Sequence, residues 1–225
     1  MDELEQFSHT PVANKCENIR VQTFIYLYAG KISTPLLDGN FEQALSCIPY
    51  IEEKLSEYKL YLDAHQVFLF YYKIAALYMG CMHYDHAIKY LNKIINRKSG
   101  TRGDLQCYAR LLHLIAHYEL GHYELLEYLS KSVYRQMRKM AFLTAAEEVI
   151  LNFLKASFRM NTVEIEEELK VLLKTLNQYR KDPFETRSLI YLNIISWLEG
   201  KVNNVPIREI IHQKYIQESA LAVPK

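Results

Sequence analysis

Apolar residues recur along this chain every three or four positions, the period of a helix with one buried face. Phe68, Tyr71, Tyr72, Ala75, Leu77 and Tyr78 form one such stripe, and Leu111, Leu114, Ile115 and Tyr118 form another. A glycine follows each stripe, and a second amphipathic run follows the glycine. These runs are Ala87, Leu91, Ile94 and Ile95 in one case, and Leu126, Leu129, Val133 and Met137 in the other. Extended along the sequence, the pattern predicts helices over 16–37, 41–59, 63–80, 84–97, 104–120, 123–139, 143–159, 163–180, 184–199 and 206–218. Pro35 and Pro49 fall inside two of these and predict kinks or early ends.

The breaks between stripes are periodic. Gly39, Gly80 and Gly121 open the segments GNFEQAL, GCMHYDHAI and GHYELLE, at a spacing of about 40 residues. Phe41, Tyr84 and Tyr123 then share one structural position, and Ala44, Ala87 and Leu126 another. The middle copy has two extra residues in its turn. Such a period, with a residue suited to left-handed backbone at each break, predicts an all-α solenoid of helix hairpins. The units expected are 16–59, 63–97, 104–139 and 143–180, with capping helices over 184–218, all in one domain spanning 1–225. Start signals support the boundaries. Asn40 with Gln43 and Asn161 with Glu164 have capping-box spacing, Asp104 suits an N-cap, and Asp182, Pro183 and Glu185 stand in N-cap, N1 and N3 order. Pro206 is placed to open the last helix.

Composition narrows the class. A chain of 225 residues with only 7 glycines and 6 prolines lacks the turns that a β-sandwich needs. Its net charge of +1 gives no general attraction to nucleic acid or to an anionic membrane. The cysteines Cys16, Cys47, Cys81 and Cys107 form no CxxC pair and read as core residues of a reduced compartment. The acidic start MDELEQFSHT does not read as a signal peptide, and no apolar run is long enough to span a bilayer. The expected setting is cytoplasmic. The 18 tyrosines suit helix packing and adaptable contact surfaces alike.

The turn GNFEQAL and the pair IAALYMG…HYDHAIKYL resemble the tetratricopeptide repeat, and LQCYARLLHLIAHYELGHYELLEYL resembles uncharacterised bacterial repeat proteins of the same superfamily. Ala75 and Tyr78 match the small residue and tyrosine of that family's first helix, Tyr84 its turn aromatic and Ala87 the alanine of its second helix. The match covers roughly 20–180. The period here exceeds the family's value of about 34, Leu126 replaces alanine in the third unit, and the usual proline after the second helix is missing. The resemblance implies a right-handed α-α superhelix that binds a peptide or protein in the groove lined by the first helix of each pair. The positions matching that groove hold Tyr72, Lys73, Ala76, Leu111 and Leu112. This is not a carboxylate clamp.

Three clusters have residue types that could carry sharper chemistry. His113 and His117 share a helix face, with His122 just beyond the turn, but the order lacks the HExxH glutamate of a zinc hydrolase. The expectation is no metal, with structural histidines, and HYDH at 83–86 reads the same way. Arg110, Leu114 and His117 form a stripe that, with Tyr134 and Arg135 of the next helix, suits a carboxylate or peptide backbone. The competing reading pairs Arg110 internally with Glu124 or Glu127. The basic run KSVYRQMRK follows acidic residues on its own helix and reads as dipole complementation more than as a nucleic-acid patch. No phosphate loop, GxSxG or EF-hand pattern is present, and no cofactor or catalysis is expected. The expected function is a binding scaffold, with Tyr71, Tyr72, Tyr78, Arg110, His113, His117, Asn152 and Lys155 lining its groove. The alternatives are a structural or regulatory C-terminal module of a larger protein that self-associates, with Ile190, Leu192, Ile195, Trp197 and Leu198 as a cap of the stack or a homodimer contact, and a metal-dependent enzyme at the histidines.

Overall fold

The computed structural model describes residues 2–97, 103–179 and 193–222, and among these every regular element is helical. Helices α1 (Asp2–Ser8) and α2 (Pro11–Lys15) precede α3 (Glu17–Asp38), and α4 (Phe41–Leu45) and α5 (Ile48–Glu57) return from it. Three hairpins follow: α6 (Ala64–Gly80) with α7 (Tyr84–Ile95), α8 (Gly103–Glu119) with α9 (Tyr123–Lys139), and α10 (Ala145–Ala156) with α11 (Thr162–Tyr179). The last described elements are α12 (Ile194–Asn203) and α13 (Ile207–Ala222). From α6 to α11 each helix packs on the next, and α3 with α6, α6 with α8 and α8 with α10 also touch. No described helix is long and apolar enough to cross a membrane.

The boundaries follow local chemistry. The helix expected over 41–59 is two, because Pro49 lacks an N–H and its ring crowds the carbonyl four residues back, at Leu45, where α4 ends. The proposed Asn40 cap does not form: its side chain bonds no helix N–H, and its own backbone N–H donates to Asp38 Oδ1 at 2.9 Å. The Asn161–Glu164 box does form, at 3.0 and 2.8 Å. Two further boxes, Asp63–Gln66 and Thr144–Glu147, start α6 and α10. The short α1 and α2, too brief for a visible stripe, lie against α3, with Lys31 bonded to Glu5 at 2.6 Å. The expected cap Asp182, Pro183 and Glu185, with Ile190 and Leu192, lies outside the described residues.

The turns correct the glycine reading. Gly39 and Gly121 adopt left-handed backbone, at φ 84° and 72°. In the second hairpin that place belongs to Met82, φ 58°, two residues past Gly80. The amides of His83 and His122 close these turns onto the carbonyls of Tyr78 and His117, at 2.8 and 3.0 Å, so the two turns share one geometry. Phe41, Tyr84 and Tyr123 each begin the returning helix, as expected. Gly80 is glycine for another reason: a Cβ there would lie 2.4 Å from the ring of Phe41.

Helices α12 and α13 turn back along the hairpin ends. Trp197 meets Tyr118 edge to face at 5.9 Å, and its indole N–H donates to Glu119 at 2.6 Å. Lys201 holds the other oxygen of the same carboxylate at 3.0 Å. Farther on, α13 packs on α3: Ile211 is buried, Arg208 pairs with Glu42 at 2.9 Å, and His212 contacts the Asp38 carbonyl at 2.9 Å. Ile195, Trp197 and Leu198, considered above as a dimer contact, are buried within the chain itself.

Candidate binding cleft

The eight residues expected in one groove fall in three places. The first is the junction of α5, α6 and α7. Tyr72 is only 4% exposed and belongs to the core, not to the wall of an open groove. Tyr71 and Tyr78 are half-buried against Tyr90, with ring centroids 6.1 and 5.7 Å away, and Tyr78 also stacks on His86 at 5.1 Å. The Lys93 ammonium sits 5.0 and 4.5 Å from the Tyr71 and Tyr90 centroids and pairs with Glu52 at 2.9 Å. Burial and the Glu52 carboxylate raise the pKa of the Tyr78 phenol. These contacts staple three helices together. Lys73 is likewise turned inward: it donates to Ser33 Oγ at 2.7 Å, and burial lowers its pKa.

The second place is α8, which carries Arg110, His113 and His117. The Arg110 guanidinium donates to the carbonyls of Gln106 and Ile95, at 3.2 and 3.3 Å. Ile95 ends α7, so Arg110 satisfies an orphan carbonyl there. Its partners are backbone groups of α7 and α8, rather than Glu124 or Glu127, and it does not join Tyr134. The three histidines form a chain. His117 Nε2 lies 3.3 Å from His113 Nε2, and His117 Nδ1 lies 3.0 Å from His122 Nδ1. A neutral imidazole offers one donor and one acceptor, which suits this chain with no added proton. Desolvation, then His117 and Arg110, press the His113 pKa down to about 4. Burial and His122 also lower that of His117. A metal needs lone pairs aimed at one point, whereas His117 gives one nitrogen to each neighbour. Among the described residues no group of three or more His, Cys, Asp or Glu is placed to hold an ion.

The third place is open. Asn152 and Lys155 are exposed on α10 and face α9 across a cleft of ≈ 530 Å³. On α9, Tyr128, Lys131 and Arg135 stand at i, i+3 and i+7, and on α10, Glu148, Leu151, Asn152 and Lys155 stand at i, i+3, i+4 and i+7. Two matched stripes on adjacent helices build the cleft. Tyr134 donates to Glu148 at 3.1 Å across it, and Lys131 pairs with Glu127 at 3.0 Å. A second recess of ≈ 720 Å³ adjoins it, sharing Lys131, Asn152 and Lys155, and is bounded by Arg159 and by Glu164, Glu167 and Glu168 of α11. The sequence reading found Asn152 and Lys155 but left Tyr128, Ser130 and Lys131 out of the site. The signal for Tyr128 and Lys131 was the seven-residue stripe on each helix, visible only when α9 and α10 are laid side by side; Ser130 lies off that stripe and carries no such signal.

These residues use their polar groups differently. Those of α6 and α8 bond within the chain, while the cleft presents side chains to solvent. Comparison with known proteins adds nothing to this geometry: no family model matches the chain, and neither a curated protein nor a solved structure matches it.

Proposed function

We propose that this chain is a non-catalytic, tetratricopeptide-like right-handed α-α superhelix that binds a peptide or protein partner, and that the partner docks in the α9–α11 groove. The observation that supports this reading is the pair of adjoining recesses meeting at Asn152 and Lys155, beside the 70% exposed ring of Tyr128. An exposed aromatic next to an amide and a cation supplies contact area, backbone hydrogen bonding and orientation, the mix that protein-recognition surfaces use. An asparagine amide both donates and accepts, as a peptide bond does. Acidic α11 residues on one side and cations on the other favour a partner segment of mixed charge.

The test compares two double variants by quantitative affinity capture, with recombinant candidates then titrated by calorimetry. Tyr128→Ala/Lys155→Ala should stay folded by circular dichroism and lose the partner. Tyr72→Ala/Arg110→Ala alters the core and a helix cap, and should melt at lower temperature. Equal recovery by wild type and Tyr128→Ala/Lys155→Ala would move docking off this groove.

A further inference from the structure

The α9–α10 cleft carries more donors than a peptide backbone or one carboxylate can use. Ser130 lines it, is 1% exposed, and its Oγ has no hydrogen-bond partner among the described residues. An unsatisfied buried hydroxyl costs about 1–3 kcal/mol. Around it stand three cations. Among the described residues Lys155 makes no hydrogen bond or ion pair within 4 Å, though its charge acts on Glu127. Arg135 uses only Nε, on the Lys131 carbonyl at 3.3 Å, which leaves both terminal nitrogens of its fork. Lys131 gives one of its three protons to Glu127. The Asn152 amide stands among them; of the carboxylates near these cations, Glu148 is bonded by Tyr134, and Glu127 pairs with Lys131 and also feels the charge of Lys155.

We propose that this cleft is a binding site for a phosphate monoester, its dianion held by Lys131, Arg135 and Lys155 and completed by the hydroxyl of Ser130 once that buried side chain turns toward the ligand. The inference rests on the same cleft as the proposed function and names a chemistry for it. A phosphate monoester carries close to two negative charges and three strong acceptor oxygens at neutral pH, matching three cations and two neutral donors. A carboxylate offers one charge and leaves donors unmet. Tyr128, Tyr134 and Leu151 supply an apolar wall for the group that bears the phosphate, and the volume falls in the range of small-ligand sites.

The experiment titrates the full chain with phenyl phosphate, inorganic phosphate and benzoate, by calorimetry and by amide chemical shifts. The expected result is saturable binding of phenyl phosphate at least tenfold tighter than of benzoate or inorganic phosphate. Binding should weaken with salt and fall as pH drops through about 6, where the phosphate takes up its second proton. Lys155→Gln, on an exposed position, and Arg135→Gln should each weaken binding about tenfold or more, and Ser130→Ala should weaken it severalfold with the circular dichroism unchanged. No saturable binding at concentrations on the order of 10 mM, benzoate or inorganic phosphate binding as tightly as phenyl phosphate, or an unchanged affinity in Lys155→Gln would each overturn the proposal. Loss of partner capture by Tyr128→Ala/Lys155→Ala without any phosphate binding would remove this inference and leave the peptide reading. Phosphate binding without capture would support this inference and remove the peptide reading.

Discussion

Gly80 and Gly39 show how one residue type serves two physical ends. At Gly80 the missing Cβ makes room for the Phe41 ring, so Gly80→Ala overpacks a contact between successive hairpins. A loss of about 1–3 kcal/mol is expected in urea unfolding, partly relieved by Phe41→Leu in the double variant. At Gly39 the backbone itself is left-handed, and an added Cβ would also meet the Arg208 carbonyl at 2.6 Å, so alanine there is penalised twice. His113 gives a pH-dependent prediction. Its folded pKa is pressed to about 4, below the unfolded value near 6.5, so the unfolded chain takes up the proton first. The stability that neutral His113 supports is present above pH 6.5 and is lost as pH falls from 6.5 towards 4. The full difference is on the order of 3 kcal/mol. Urea midpoints at pH 7.5 and 4.5 check this: wild type should fall further than His113→Leu, in which that titration is gone.

At the level of the helix, the stripes were readable because burial repeats with the helical period. Leu91, Ile94, Leu111, Leu114 and Leu126 all lie in the core, at the positions their spacing assigned. Ends were less readable, since a cap depends on a side chain's competing partners. The Asn40–Gln43 box is lost because the Asp38 carboxylate takes the Asn40 backbone N–H, while Thr144 and Glu147 bond reciprocally at 3.3 and 2.9 Å. Thr144→Ala should therefore destabilise α10 by about 1 kcal/mol, seen as reduced amide protection over 145–149 before the rest of the chain is affected. The site was the hardest to read. Nothing in the sequence says that Tyr71 and Tyr78 meet Tyr90, that Lys93 lies over Tyr71, or that Arg110 meets the Ile95 carbonyl. Polar side chains at regular spacing look alike whether the neighbouring helix satisfies them or leaves them to solvent.

Across the whole molecule, the neighbour-by-neighbour packing of the hairpins followed from the period, but the return of α12 and α13 did not. Long-range placement depends on matching surfaces, here the Tyr118 ring, the Glu119 carboxylate and the bare backbone at Gly39. Glu119 is nearly enclosed, and it holds both the Trp197 indole and Lys201. Trp197→Phe keeps an aromatic ring but removes the donor and part of the buried volume, and should cost at least about 1.5–3 kcal/mol, the value for a hydrogen bond to a charged group. Truncation after Val205 should lower the melting temperature by more than any single surface substitution, because it uncovers Gly39, Phe41 and the seat of Ile211 together.

That return has a consequence for how the chain folds and comes apart. In a linear array each unit leans only on its neighbours, so unfolding starts at an end and travels inward. Here His212 touches Asp38, 174 positions away in sequence. A contact of that span forms only after the intervening chain has ordered, so it slows the last step of folding. Once made, it leaves no loose end between α3 and α13 from which to fray. Native-state hydrogen exchange should find the amides of α3 and α13 opening together, as one cooperative unit, with truncation after Val205 letting α3 open early and locally.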